Sequence, residues 1–261
     1  MTHSSTGSRL TTVLLAAALT AFGASTAGAQ REAIDFSQFR FGLNLSPSIS
    51  WIGTDDSRIA GDGTAFGIKI ATQAEYFFAP NYAIESGIGF HFNTGGTLLS
   101  QYPGRFFDES LPVTSPFNAG ANTPAGDVRL DYSINYLEIP LGLRLHTREF
   151  GFVRYYVQAP MFTFGIRTGA TANISGGGVA TEEEEIDITK DVAPLAISWG
   201  FGAGAEYEVG GGTVLVGGIQ FQRVFTDVTK DGGGEVYAGR MREEDPKAQV
   251  NSITVRLGVL F

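Results

Sequence analysis

The sequence of 261 residues predicts an all-β fold, an eight-stranded antiparallel transmembrane β-barrel with up-and-down topology, preceded by a cleavable signal peptide. Three observations predict it. Eight segments alternate apolar residues with polar or small ones, and the connections between these segments are short and long in strict turn. A short apolar stretch near the N-terminus ends in small residues. Together they predict a location in the outer membrane of a Gram-negative bacterium.

Residues 1–29 have the parts of a secretory signal peptide: a basic residue, an apolar stretch at 10–22 and an Ala-Gly-Ala cleavage site at 27–29. The apolar stretch is shorter than the roughly 20 residues that a membrane-spanning helix needs. We therefore expect cleavage after residue 29 and one barrel domain formed by residues 30–261.

The eight segments have the period of two that is typical of a strand with unlike faces. Each is longer than the roughly 9–11 residues that a tilted membrane strand requires. In the last segment every second residue is apolar, up to Phe261. The predicted strands cover approximately 40–52, 65–78, 82–94, 130–145, 152–167, 193–208, 213–226 and 250–261.

The connections distinguish a barrel from a soluble sandwich. Outer-membrane barrels have short periplasmic turns and longer extracellular loops, and an even strand number places both termini in the periplasm. A soluble sandwich has no reason to sort its connections this way, and its outer faces would be polar. The short connections are 79–81, 146–151 and 209–212, and the long ones are 53–64, 95–129, 168–192 and 227–249.

The two faces of the strands predict a lipid-facing wall and a packed lumen, because an eight-stranded barrel is just wide enough for its own side chains. Buried charges need partners, so we expect a salt-bridged lumen that is closed to solutes. The aromatic residues predicted at the periplasmic rim are Phe41, Phe78, Tyr82, Tyr155, Tyr207 and Phe261, and those toward the outside are Trp51, Phe66 and Phe90. The predicted inward residues are Lys69, Gln73, Glu75, Glu85, Glu138, Arg144, Arg154, Gln158, Glu206, Gln220 and Arg256, with Gly67, Gly87, Gly142, Gly202 and Gly204 making room for them.

Two strands depart from strict alternation. In strand four the apolar residues move from even positions, up to Tyr136, to odd positions, from Leu137, which predicts a β-bulge at that point. In strand five a similar change occurs near Ala159-Pro160. Proline cannot donate to a strand ladder, so it is compatible with a bulge there.

Composition and motifs exclude several classes of function. The chain has no cysteine, and its net charge of −9 makes nucleic acid a poor partner. The glycines at 200, 202 and 204 lie inside a predicted strand with no helix after them, so they do not form a nucleotide loop. The acidic stretch 182–187 is expected to be a solvated, mobile loop, with loose binding of a divalent cation as the alternative.

The histidines of the mature chain do not indicate a hydrolase. His146 is expected in a periplasmic turn, and His91 points inward with Asn93, not a serine, two residues on. A hydrolase needs a nucleophile within reach of its base. We therefore predict no catalytic residues, no cofactor-binding residues and no metal site.

Two stretches carry a family resemblance. The segment 136–144 reads Tyr-Leu-Glu-Ile-Pro-Leu-Gly-Leu-Arg, and 202–207 reads Gly-Ala-Gly-Ala-Glu-Tyr. Both resemble segments of the PorT-like outer-membrane β-barrel family of Bacteroidetes-type bacteria. The resemblance implies an eight-stranded outer-membrane barrel, recognition of its C-terminal strand by the barrel-assembly machinery and, from some members, assistance in protein secretion to the cell surface.

These expectations together describe a monomeric outer-membrane protein surrounded by lipid and lipopolysaccharide, with a non-enzymatic structural, adhesive or secretion-accessory role. The alternative is a small transporter or a barrel that binds a hydrophobic ligand. The loops 95–129 and 227–249 are the expected surfaces for a protein partner. Phe106, Phe107 and Phe117 in the first loop are expected to pack on the barrel mouth or on that partner.

Overall fold

The computed structural model describes residues 38–55, 59–101, 104–107, 109–111, 115, 117, 127–177, 183–230, 234–237, 240–243 and 247–261. The predicted signal peptide, residues 1–29, lies outside them. In this part of the chain, none of the helices has the length and apolar character needed to cross a membrane. The strands are β1 (Phe39–Thr54), β2 (Ile59–Ala79), β3 (Tyr82–Ser86), β4 (Gly89–Ser100), β5 (Gly104–Arg105), β6 (Val128–His146), β7 (Val153–Gly176), β8 (Glu183–Asp187), β9 (Leu195–Gly210), β10 (Thr213–Val224), β11 (Gly234–Tyr237), β12 (Arg240–Glu243) and β13 (Ala248–Leu260).

Eight antiparallel barrel strands close on themselves within the described residues, as predicted. Neighbouring strands pair in the order β1, β2, β3 with β4, β6, β7, β9, β10 and β13, and β13 pairs with β1. β3 and β4 act as one barrel strand because both pair with β2 on one side and with β6 on the other. Closure leaves no edge strand in the wall, as a membrane-spanning sheet requires.

The register of the pairs gives the tilt of the wall. From Trp51, we step to its paired residue on the neighbouring strand and repeat this around the barrel, through β13, β10, β9, β7, β6, β3 and β2. The path returns to β1 at Phe41, ten positions below Trp51, so the shear of the barrel is ten residues. With about 3.3 Å per residue and about 4.8 Å between strands, this shear tilts eight strands by about 41°. Each residue therefore adds about 2.5 Å of height along the barrel axis.

The outer surface is apolar and has an aromatic belt at the periplasmic end, as predicted. Phe66 is 70% exposed, and the six aromatic residues predicted at the periplasmic rim are all exposed. Trp51 lies ten residues above Phe41 in β1, a rise of about 25 Å, which matches the height of the apolar band of outer-membrane barrels. The wall is therefore tall enough to span the hydrocarbon layer.

The connections follow the predicted alternation with one exception. The periplasmic turns are short: β2 and β3 are joined by 80–81, β6 and β7 by 147–152, and β9 and β10 by 211–212. The predicted long loop 53–64 is wrong, because β1 and β2 continue into it and leave only 55–58 between them. Several strands thus extend beyond the membrane as hairpins.

The predicted bulge in strand four is also wrong. Alternation in β6 is unbroken, and Tyr132, Ile134, Tyr136 and Glu138 all lie inside the barrel. The register shifts beside Tyr136 come from extra residues in the neighbouring strands β4 and β7. Above this level the inward-facing residues of β6 are apolar, and below it they are mostly polar. The apolar residues therefore move from even to odd positions although the same positions face the lumen throughout.

The predicted bulge in strand five is confirmed. In β7, Gln158 pairs with Gly202 of β9, whereas Met161 pairs with Gly200, so three steps along β7 match two along β9. The same extra residue occurs against β6. It accommodates Pro160, which has no backbone N–H for the ladder.

Pro140, in the segment 136–144, lies beside a gap in the backbone pairing of the wall. Pro140 in β6 lies opposite the break between β3 and β4, and the hydroxyl of Ser86 donates to its carbonyl oxygen (2.9 Å). Across the break, the hydroxyl of Thr72 donates to the carbonyl of Ile88 (3.1 Å) and accepts from the Ile88 N–H (3.1 Å). Side-chain hydroxyls therefore satisfy backbone groups that lipid could not.

Candidate functional site in the barrel lumen

The periplasmic half of the lumen holds charged side chains that we call the ion-pair layer: Arg40, Glu75, Glu85, Arg144, Glu206 and Arg256. Arg144 is fully buried at its centre. Its guanidinium contacts Glu75, lies 2.5 Å from Oε2 of Glu85 and lies 3.3 Å from Oε1 of Glu206. Charged groups without water require such partners, so one arginine joins carboxylates from three other strands.

The other two arginines complete the layer from β1 and β13. Arg40 lies 2.9 Å from Glu75 and 3.1 Å from Glu206. Arg256 contacts Glu85 and donates to the amide oxygen of Gln158 (2.9 Å). Three positive and three negative side chains thus balance one another inside the wall, and the predicted salt-bridged lumen is confirmed.

Two of the five glycines predicted to make room in the lumen, Gly142 and Gly204, lie against side chains that contact the ion-pair layer: a Cβ at Gly142 would lie 2.8 Å from Nε2 of Gln158. The guanidinium carbon of Arg144 lies 4.0 Å from the ring centre of Tyr156. A Cβ at Gly204 would lie 2.6 Å from the hydroxyl oxygen of Tyr156, and one at Gly218 would lie 2.4 Å from it. The paired glycines of β9 and β10 therefore provide the space that the tyrosine ring occupies.

Two of the predicted positions are different in the structure. Arg154 lies at the periplasmic rim, where its guanidinium donates to the backbone oxygens of Thr147 (3.0 Å) and Pro80 (2.5 Å). His146 is not in a turn: it ends β6 inside the barrel, with Nε2 3.0 Å from Oε1 of Glu206. Alternation along β6 directs this histidine inward, and the sequence interpretation ended the strand one residue too early.

The carboxylates of Glu75 and Glu206 and a ring nitrogen of His146 lie within 4.8 Å of one another, a separation that suits a metal ion. Arg40 and Arg144 contact the same two carboxylates. Their positive charges already neutralise these carboxylates and would repel a cation. The arrangement therefore favours ion pairing over metal binding.

A second group, the middle cluster, lies between the ion-pair layer and the outer end: Ser48, Lys69, His91 and Glu138. Nε2 of His91 lies 2.9 Å from Oγ of Ser48, and its Nδ1 lies 3.0 Å from Oε1 of Glu138. Lys69 lies 2.5 Å from the other oxygen of Glu138. These distances are those of a nucleophile, a base and an orienting acid.

Sequence reasoning missed this alignment because it sought a serine near His91 along the chain. Ser48 lies in β1 and Glu138 in β6, and barrel closure brings both to the histidine. All three side chains are buried, and the cavity lined by His91 and Glu138 has a volume of about 20 Å³. That space holds about one water molecule.

The extracellular half of the lumen is filled by an apolar core, here called the apolar cap. Phe107 and Phe117 are buried in it, Phe106 packs against it, and the rings of Phe107 and Tyr132 are 5.5 Å apart. The predicted packing of these phenylalanines on the barrel mouth is confirmed. The buried members are Ile52, Leu98, Phe107, Leu111, Phe117, Val128, Leu130, Tyr132, Ile134, Tyr136, Ala170, Ala172, Ile174, Ile188, Val192, Ala196, Val228, Ala248 and Val250.

Outside the barrel, the predicted interaction loops contribute strands. β5, from the first loop, pairs with β11, from the second, and β11 pairs with β12. The acidic stretch is not a loop over its described residues: 183–187 form β8, which pairs with β7. The side chain of Ser115 donates to Glu183 there (2.8 Å).

Residues 29–229 match the outer membrane protein beta-barrel domain family, and this is more than half of the chain. The protein belongs to this family. Its closed wall, apolar surface and family membership agree on a location in the outer membrane. No curated protein matches this outer membrane β-barrel protein.

Its fold is similar to solved outer-membrane proteins at low sequence identity. Neisserial surface protein A is 12% identical with a TM-score of 0.40, and the match covers 84% of this chain and 95% of that chain. Ail of Yersinia pestis is 11% identical with a TM-score of 0.35, covering 86% and 99%. The outer membrane protease OmpT of Escherichia coli is 8% identical with a TM-score of 0.40, covering 88% and 99%. At these identities none of the names assigns a task to this protein.

Proposed function

We propose that the protein is a monomeric, non-enzymatic outer-membrane barrel that is closed to solutes and acts at the cell surface as a structural, adhesive or secretion-accessory protein. The observation that supports this proposal is the continuous filling of the lumen. The ion-pair layer, the middle cluster and the apolar cap follow one another from the periplasmic to the extracellular end. Aqueous channels occur in barrels of 16–18 strands, not eight.

The closed lumen is tested by reconstituting the full-length mature protein in planar bilayers, with a 16-stranded porin as the positive control. We expect no stable single-channel steps from this protein at porin-like concentrations. Stable steps would contradict the closed lumen and favour the transporter alternative. A barrel that binds a hydrophobic ligand would instead yield a co-purifying molecule in organic extracts of the pure protein.

The surface role is proposed for the elements outside the wall. The sheet of β5, β11 and β12 joins the two loops that the sequence predicted as interaction surfaces. We propose that a protein partner contacts this sheet, and the PorT-like resemblance favours a secretion machinery as that partner. Cells that carry a deletion of residues 234–243 should assemble the barrel but lose either secretion of surface proteins or adherence. If both activities are retained, the sheet is not the functional surface.

A hydrolase is the second candidate, because Ser48, His91 and Glu138 align as a catalytic triad does. Burial of Ser48 and the ion pair between Lys69 and Glu138 oppose it. We expect a fluorophosphonate probe to leave the folded protein unlabelled. Labelling that disappears in Ser48→Ala would show an active nucleophile and overturn the non-enzymatic proposal.

A further inference from the structure

A cleft lies on the outer face of the wall at its extracellular end, where β1, β13 and β10 meet. Its volume is about 160 Å³. Arg223, Gln249 and Asn251 belong to the outward-facing positions of β10 and β13, because the residues that alternate with them, such as Gln222 and Val250, are buried. The lining consists of Gly53, Thr54, Asp55, Arg223, Lys247, Gln249 and Asn251.

The register places this cleft at the outer edge of the hydrocarbon layer. Trp51 pairs with Asn251, Asn251 with Arg223, and Arg223 with Trp199. Because the strands are tilted, each step to the paired residue on the next strand descends about 3 Å along the barrel axis. Arg223 therefore lies below Trp51 and above Trp199. Tryptophan is enriched at membrane–water interfaces, which marks this level as the interface.

The cleft continues upward through the headgroup layer. Lys247 is four positions beyond Asn251, which adds about 10 Å of height at the tilt of this wall. The headgroup region on each side of a bilayer is roughly 5–8 Å thick. The two basic residues therefore flank the depth at which lipid phosphates lie.

The chemistry of the cleft suits an anion. Nη2 of Arg223 donates to Oε1 of Gln249 (2.7 Å), a neutral partner. In the described part of the chain, neither Arg223 nor Lys247 forms an ion pair. The carboxylate of Asp55 accepts from the backbone N–H of Lys247 (2.9 Å). Among the residues that line the cleft, two positive side chains and one negative side chain leave one positive charge in excess. The planar guanidinium group is well matched to phosphate.

We infer that this cleft binds the phosphate of a phosphorylated glycolipid in the outer leaflet, the lipid A part of lipopolysaccharide. Arg223 and Lys247 contact the phosphate, and the amide of Asn251 is a further donor at its lower side. The absence of a side chain at Gly53 leaves space for the headgroup. The inference depends on the outer-membrane location and not on the closed lumen, so either can fail without the other.

The experiment titrates purified full-length mature protein, in detergent micelles, with bisphosphorylated lipid A. Fluorescence of Trp51 and Trp199, the two tryptophans of the chain, reports binding at the adjacent cleft. The double variant Arg223→Gln/Lys247→Gln should raise Kd about tenfold or more, because charge-assisted hydrogen bonds are lost. Heat-modifiable migration on gels confirms that each variant is folded.

A steric pair of variants tests the position of the ligand without changing charge. A Cβ at Gly53 would meet no atom closer than 3.9 Å, so Gly53→Val should fold and fill the cleft. A Cβ at the outward-facing Gly217 would meet nothing within 4 Å, and Gly217→Val is the matched control. Gly53→Val should weaken lipid A binding about as much as the charge variant, and Gly217→Val should leave it unchanged.

Several outcomes would overturn the inference. One is an affinity for lipid A that is unchanged from the wild type in both the charge variant and Gly53→Val. Another is equal affinity for dephosphorylated lipid A. A third is full competition by millimolar inorganic phosphate, which would indicate a site for free phosphate. Asp55→Asn removes the one carboxylate of the cleft and should tighten binding several-fold. Weaker binding in Asp55→Asn would indicate a cation bridge and overturn direct contact.

Discussion

The two halves of the lumen are packed by opposite means. The ion-pair layer joins three arginines and three glutamates that are largely buried, whereas the apolar cap is a hydrophobic core like that of a soluble domain. The strands β1, β6, β9 and β13 contribute inward-facing residues to both, at different heights. β6 shows this most clearly, because its inward residues are Tyr132 and Ile134 above and Glu138 and Arg144 below.

The difference shows that one face of a barrel strand does not have one polarity. Inside the bilayer, the wall is already stabilised by lipid contact, and the lumen can hold charges if each has a partner. Above the bilayer, water surrounds the outer face of the wall. There the apolar cap inside the barrel supplies the apolar contacts that lipid supplies lower down. Four substitutions can separate these two modes of stabilisation.

The largest effect is expected from Arg144→Met in the ion-pair layer. Glu75, Glu85 and Glu206 would share two arginines, and removal of one partner from a buried ion pair costs about 4 kcal/mol. Urea unfolding in lipid vesicles, followed by gel migration without boiling, measures the free energy of unfolding.

The matched control is Arg154→Met, which removes an arginine from the periplasmic rim instead of the lumen. Its effect should be much smaller than that of Arg144→Met. Equal stability of the Arg144 variant and the wild type would show that the ion-pair layer does not stabilise the barrel.

The next effect is expected from Phe117→Ala in the apolar cap, where the side chain is 1% exposed. The cavity should lower the free energy of unfolding by about 3 kcal/mol. Phe225→Ala, at a phenylalanine that is 47% exposed, is the control and should change it little. Hydrogen exchange should locate the loosening in the cap and leave the ion-pair layer protected. Uniform loosening of the whole barrel would contradict two independent layers.

A smaller effect is expected from Gly204→Ala, which tests the fit beneath Arg144. The new Cβ would meet the ring of Tyr156 at 2.7 Å and the backbone oxygen of Gly217 at 2.2 Å. Overpacking of this kind costs about 2 kcal/mol. Gly217→Ala, whose Cβ would have open space, should be neutral in the same urea titration. A neutral Gly204→Ala would mean that both the Tyr156 ring and the backbone of β10 have room to move.

The smallest effect is expected from Ser48→Ala in the middle cluster. It removes one hydrogen bond to His91, worth about 1 kcal/mol in the free energy of unfolding. No surface activity of intact cells should change. Loss of stability comparable to that of Arg144→Met would place the middle cluster with the ion-pair layer instead of between the two halves.

Much of the fold could be predicted because local alternation is a property of single strands. The eight barrel strands, the short turns, the bulge at Ala159-Pro160 and the inward charges other than Arg154 follow from period two and from proline chemistry. The same rule failed at Tyr136, since it assumed that apolar residues always face lipid. From sequence alone, a lumen that changes from apolar to polar gives the same pattern as a β-bulge that switches the inward-facing positions.

The candidate site was not predictable in the same way, because it depends on pairs that are distant in sequence. Ser48 meets His91, and Glu138 meets His91 from the other side, only after a particular shear closes the wall. Shear is fixed by all eight registers together. No single segment of the sequence carries it.

The uneven ends of neighbouring strands give the extracellular rim a high and a low side. The last pair between β7 and β9 is Ile166 with Leu195, yet β7 continues to Gly176 with β6 and β8 as its neighbours. Those ten further residues raise that side by about 25 Å. A macromolecule that approaches this surface from outside should therefore meet the extended β6–β7–β8 side before it meets the described end of β9.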